Sequence, residues 1–213
     1  PFGYTSDAKG ARIDFEDILL VATRSGRLVK VELASGNSTG YVQFPQELRV
    51  APAVDFQQSA VYQVAEHSNL YVLGLADGKC RHVAYLGHEP GGITVPPVIV
   101  SRFLCVAIND GAEQATLRVF SLEAKKGEPP VKPLQSLQLK GHVDTAPLVT
   151  ENRILATADR GDIYLFEIRA TDPKKPVAEV AHRKAAGEDN MIRFPLLLAG
   201  QLWVADSQLT RYD

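Results

Sequence analysis

The sequence is short of nearly everything that would announce chemistry. It has two cysteines, Cys80 and Cys105, 25 residues apart, so there is no disulfide framework and no metal-ligand spacing. Two such thiols are expected to be free and buried, as unpaired cysteine commonly is. The five histidines, at positions 67, 82, 88, 142 and 182, are scattered, and none has a second histidine three or four residues away. No Walker loop, Gly-x-Gly-x-x-Gly, His-Glu-x-x-His or Gly-x-Ser-x-Gly occurs. No apolar run approaches the roughly 18 to 20 residues that span a bilayer; the longest, Ile18 to Ala22 and Pro195 to Ala199, are strand-sized.

Charge of one sign is also missing. Lys plus Arg total 23 against 25 Asp plus Glu, a net charge of −2, which excludes the clustered basic surface that nucleic acid requires. Lys125-Lys126 and Lys174-Lys175 lie beside Gly or Pro and are expected in solvated loops. The chain begins at Pro1 rather than Met, so it is expected to be a processed or excised product from which any targeting segment is already gone.

What is present is a repeat. A six-residue run with apolar first, third, fourth and sixth positions occurs as Leu70 to Leu75, Leu117 to Leu122 and Ile163 to Ile168. Leu28 to Leu33 is a fourth copy with Lys30 at the third position, and a fifth begins at Leu209. The starts at 28, 70, 117, 163 and 209 are separated by 42, 47, 46 and 46 residues. Before each copy stands a short apolar run ending in Ala22, Ala65, Ala107, Ala158 or Ala205. Further upstream, Pro52, Pro97, Pro147 and Pro195 each lead an apolar run. A less regular fourth strand follows, as in Cys80 to Leu86 or Leu134 to Leu139.

Each unit thus predicts a four-stranded antiparallel meander, the blade of a β-propeller. Val, Ile, Leu and Tyr fill the strands, while Gly, Asn, Asp and Ser fill the turns. Proline is tolerated at a strand start, where no ladder bond is needed. The best helical candidate, Val177 to Ala186, is short and weakly patterned. The fold class is all-β, with about four to five blades present. Complete blades are expected over 50–94, 95–141 and 142–190, with partial blades over 17–49 and 191–213. An array incomplete at both ends is expected to be part of a larger propeller.

Ala51-Pro-Ala-Val54, Ala60-Val-Tyr62 and Leu70-Tyr-Val-Leu-Gly-Leu-Ala-Asp-Gly-Lys79 together resemble a quinoprotein-like (PQQ-like) propeller repeat, and Leu33-Ala-Ser-Gly36 repeats its turn. That family includes alcohol dehydrogenases that use pyrroloquinoline quinone and non-catalytic members such as outer-membrane assembly lipoproteins of the BamB type. The sequence departs from the enzymes: its one tryptophan, Trp203, is not after the Gly-Lys turn, and it has no vicinal cysteine pair. The resemblance therefore implies no bound cofactor and a non-enzymatic binding or scaffold module, in a periplasmic or other extracytoplasmic setting, with a protein or peptide partner. The alternatives are a fragment of a quinone-dependent dehydrogenase and an extracytoplasmic sensor domain. A WD40 reading rests on Gly141-His142 standing ahead of Phe166-Glu167, but no Trp-Asp pair occurs.

Candidate partner-binding residues are few. His88-Glu89-Pro-Gly-Gly92 sets an imidazole beside an acid in a flexible connection. Arg24, His67, Asn109, Asp110, Asp159 and Arg160 occupy equivalent turns after the Ala-terminated strand. In a propeller such turns gather on one face. Arg160-Gly161-Asp162 is an adhesion-type tripeptide, yet Gly and Asp are also what a hairpin turn selects. Asn37-Ser38-Thr39 matches a glycosylation acceptor but is expected to be a polar loop.

Overall fold

A computed structural model describes residues 4–6, 12–14, 18–124, 127–169, 172, 174–185, 190–198 and 200–212. Lys125, Lys126 and Ala186 lie outside the described residues. The described residues hold strands and turns and no helix. They divide into two compact units, 1–91 and 92–213.

The first unit opens with a hairpin of β1 (Tyr4–Ser6) and β2 (Arg12–Asp14). A three-stranded sheet follows: β3 (Ile18–Ala22), β4 (Arg27–Glu32) and β5 (Ser38–Gln43). The next sheet is a four-stranded meander of β6 (Ala53–Asp55), β7 (Ala60–Val64), β8 (Asn69–Gly74) and β9 (Cys80–Tyr85). Leu28, Phe44 and Leu48 pack with Val61, Tyr71, Leu73 and Leu75 to form this unit's core. Lys30, the residue that breaks the hexamer pattern, lines a cleft of about 220 Å³ with Leu20, Pro52, Val54 and Phe56.

The second unit holds two further four-stranded meanders and a three-stranded sheet. The first meander is β10 (Val98–Val100), β11 (Phe103–Asp110), β12 (Gln114–Ser121) and β13 (Lys132–Lys140). The second is β14 (Leu148–Thr150), β15 (Arg153–Thr157), β16 (Asp162–Ile168) and β17 (Val177–Lys184). The last sheet is β18 (Phe194–Leu198), β19 (Gln201–Ala205) and β20 (Leu209–Tyr212). All neighbours pair antiparallel in sequence order, as the repeat predicts.

Each repeated signal has become one strand. The Pro-led runs are β6, β10, β14 and β18; the Ala-terminated runs are β3, β7, β11, β15 and β19; the hexamers are β4, β8, β12, β16 and β20. Segment 177–184, the best helical candidate, is the strand β17, because seven of its residues find cross-strand partners on β16. Burial shows why alternation was blurred: all five residues of β7 are buried, so both faces of the sheet are covered.

The second unit's largest core joins Val100, Cys105, Leu117 and Val119 to Ile154, Tyr164, Phe166 and Val177. Deleting any of the larger members would cost about 2–5 kcal/mol. The last sheet is less covered: Phe194, Leu196 and Leu198 are exposed. Both cysteines are free, as expected, but only Cys105 is buried. Cys80 is exposed at the first position of β9, beside the register shift between Val72 and Leu73 on β8 that takes it out of the strand's alternation.

Candidate functional site

The turns after the Ala-terminated strands do two jobs, and the first is structural. In the second unit Asn109 and Asp110 close the strand β11 rather than standing in the turn after it, because both pair with β12, and Asn109 grips the connection that enters the next blade. Its Oδ1 accepts the Val143 N–H at 2.8 Å, and its Nδ2 donates to Thr94 Oγ1 at 3.1 Å. The Thr94 hydroxyl donates in turn to the Val143 carbonyl at 3.0 Å. One blade later Asp159 holds the same connection from the other side, its Oδ1 accepting the His142 N–H at 2.7 Å, while its carbonyl accepts the Met191 N–H of the following connection at 3.1 Å. In the first unit the Thr23 carbonyl accepts the Leu48 N–H at 3.3 Å. A recurring turn is thus hydrogen-bonded to a recurring connection, satisfying backbone groups that no sheet ladder reaches.

The second job falls to the side chains left over. The β11–β12 and β15–β16 turns touch through an ion pair between Arg160 and Glu113 at 2.5 Å. His142 lies beside them, its Nε2 2.9 Å from the Gly111 carbonyl. Asp110 is exposed and accepts the Thr116 hydroxyl at 2.8 Å. Asn109, Asp110, Asp159 and Arg160 therefore belong to one continuous polar rim, together with Glu113 and His142, which the sequence did not single out.

Arg24, His67, His88 and Glu89 belong to the first unit. Arg24 and His67 are exposed in their turns, and the His67 N–H donates to Gln46 Oε1 at 3.0 Å. The His88 side chain is buried, only 4% exposed, so its imidazole is not presented to solvent as the loop composition had suggested. Its Nδ1 sits 2.9 Å from the Glu89 carbonyl, and its Nε2 has no hydrogen-bond partner. Glu89 itself is exposed.

The adhesion-type tripeptide is a hairpin turn. Gly161 has φ +86°, which glycine adopts without strain, and its N–H donates to the Ala158 carbonyl at 2.9 Å. Asp162 is buried; its Oδ1 lies 2.6 Å from His182 Nε2 and its Oδ2 3.4 Å from Lys184 Nζ. A carboxylate committed in this way is not free to bind a receptor's metal. Tyr164, stacked on the His182 ring at 4.5 Å, has its hydroxyl pKa raised chiefly by burial.

Under the rim lies a residue that sequence reasoning missed. Arg193 is 2% exposed, the largest fully buried side chain. Its Nη1 donates to the carbonyls of Asp159 at 2.7 Å and Met191 at 3.2 Å. Its Nε is 3.5 Å from Asp206 Oδ2. One guanidinium thereby ties the β15–β16 turn to the β19–β20 turn. A signal existed: Arg193 is a lone charge within the apolar stretch Met191-Ile-Arg-Phe-Pro-Leu196.

Among the described residues no group of three or more His, Cys, Asp or Glu is placed to hold a metal ion. No helix among them is long and apolar enough to cross a membrane. The arrangement offers charge and hydrogen bonding on turns held by backbone hydrogen bonds.

No family model matches the sequence, and no curated protein matches it. Solved structures do. BamB from Moraxella catarrhalis superposes with a TM-score of 0.69 at 17% identity, over 100% of this chain and 57% of that one. A computationally designed protein, Ika8, superposes with a TM-score of 0.68 at 11% identity, over 97% of this chain and 60% of its own. The chain thus spans less than two thirds of either structure it resembles. At such identities the likeness establishes the fold: an all-β, propeller-type array of antiparallel blades with BamB as a structural neighbour.

Proposed function

We propose that the chain is a non-enzymatic module that binds a protein or peptide segment on the rim formed by its blade turns. The observation that carries this reading is the linked pair of turns at Asp110, Glu113, Asp159 and Arg160. Arg193 holds the Asp159 carbonyl, and the Asn109 and Asp159 side chains tie both blades to the connection at His142 and Val143, which supports a preorganised rim. A rim of both charge signs suits a peptide that offers alternating charges and backbone amides. It does not suit a polyanion.

The BamB-like neighbour supports a protein partner over a small substrate, and the resemblance to BamB-type members supports an extracytoplasmic setting. Cell fractionation tests that setting directly.

The experiment is selection of displayed peptides against the purified protein, followed by affinity measurement on Arg160→Glu and Asp110→Lys. Reversing either charge should weaken selected peptides about tenfold or more, as rim-centred hot spots do. Peptides that bind both variants as well as the parent would remove the rim from consideration. Turnover of an alcohol with a quinone spectrum would overturn the non-enzymatic reading.

A further inference from the structure

Two successive blade interfaces in the second unit are built from equivalent strands but not from equivalent residues. At the first, Leu137 packs against the shared core, and the Gln135 amide bridges the next blade's backbone. Its Nε2 donates to the Val177 carbonyl at 2.7 Å, and the Val177 N–H donates to its Oε1 at 3.0 Å. Leu117 pairs with Leu137, and Val119 with Gln135. One blade on, Ile163 pairs with Arg183, and Leu165 with Ala181. Leu117 and Ile163 both open the hexamer, so Arg183 stands where the previous blade has Leu137, and Ala181 where it has Gln135.

Alanine in place of glutamine shortens one side chain at this interface, and arginine in place of leucine brings a guanidinium to it. A cavity of about 560 Å³ lies at this interface, walled by Leu148, Leu155, Ile163, Leu165, Leu197 and Leu202. This volume falls within the roughly 300–1,000 Å³ usual for small-molecule sites. Arg183, Arg153 and Tyr212 share the cavity. Arg153 lies 3.6 Å from Glu167, whereas Arg183 forms no ion pair among the described residues. Leu155 and Ile163 of this wall are buried in a small core with Leu148, Leu165, Leu202 and Tyr212, which makes the wall a firm apolar surface, and a guanidinium beside it favours a planar anion.

We propose that this cavity binds a single-chain amphiphile with a carboxylate head group. The chain lies along the leucine and isoleucine wall, and the carboxylate pairs with Arg183. The site is separate from the turn rim, so either proposal can fail without the other.

The test is calorimetric titration of the 213-residue protein with dodecanoate below its micelle concentration, with dodecanol as the neutral control. Wild type should bind one dodecanoate saturably, and dodecanol about tenfold or more weakly, as loss of a charge-assisted bond implies. Arg183→Leu and Ala181→Gln restore the previous blade's residues, and each should lower dodecanoate affinity about tenfold or more while melting at or above wild type. If one variant melts below wild type, the other decides. Absence of saturable binding, equal affinity for dodecanol, or unchanged affinity in a folded variant overturns the proposal.

Discussion

Replacing Arg193 by Met should unfold the protein at a markedly lower temperature. Arg193 and Asp206 both have buried side chains, 1% and 7% exposed, with Nε 3.5 Å from Oδ2. Removing the guanidinium leaves Asp206 Oδ2 without its cation, although Oδ1 keeps the Gln208 N–H at 3.0 Å, and takes a donor from the Asp159 and Met191 carbonyls. Breaking a buried pair from one side costs about 3–5 kcal/mol. For a chain of 213 residues, each kcal/mol shifts the melting temperature by about 2–4 °C, so the expected fall is about 6–20 °C. Arg193→Met with Asp206→Leu removes both charges and should recover most of that loss, because the desolvation cost goes with them. Thermal melts followed by circular dichroism read both variants. A single variant within about 2 °C of wild type, or a double variant no better than the single, would refute the reasoning.

Tyr62 is fully buried with no hydrogen-bond partner for its hydroxyl, and its pKa is pushed from 10.0 to about 12 by burial and then by Asp55. A folded value above the unfolded one means this contribution is whole below about pH 10 and is lost as pH rises toward about 12. Tyr62→Phe should flatten that alkaline slope in denaturant melts and leave neutral-pH stability unchanged or up to about 1 kcal/mol higher; a loss of stability would show a missed partner. Burial likewise pushes the Cys105 thiol up to about 12, while Cys80 is exposed. A thiol reagent should therefore label one equivalent quickly and the second only on denaturation, and two fast equivalents would contradict the placement of Cys105. Gln135→Ala orphans the Val177 N–H and carbonyl and should cost about 1–3 kcal/mol by denaturant midpoint; an unchanged midpoint would mean that water replaces the amide.

The architecture was legible because it is periodic. Pro-led runs, Ala-terminated runs and hexamers each map onto one strand position, and errors in any single copy are outvoted by the others. Segment 177–184 resisted reading as a strand because all of its residues from Glu179 to Lys184 are exposed, so no alternation of buried and exposed positions marks it. The depth of Cys80 was unreadable for a related reason: it sits beside a register shift, Leu73 pairing with Cys80 and Val72 with His82, and the sequence alone does not set that register against β8.

The site was harder to read, because turn chemistry and binding chemistry draw on the same residues. The sequence places Asn109 and Asp159 in one class of turn, yet Asn109 falls within β11 and Asp159 in the β15–β16 turn, and the structure spends both side chains on one connection, at Val143 and His142. Their neighbours Asp110 and Arg160, with Glu113 brought in by an ion pair, are what the rim has left to offer. A repeat fixes where a turn falls but not which of its polar atoms the backbone will claim. That allocation depends on contacts about 17 to 34 residues distant, such as His142 to Asp159 and Asn109 to Val143. The same logic explains why departures from the repeat are the informative positions. Arg183 and Ala181 gain meaning only when set against Leu137 and Gln135, the residues that close the preceding interface.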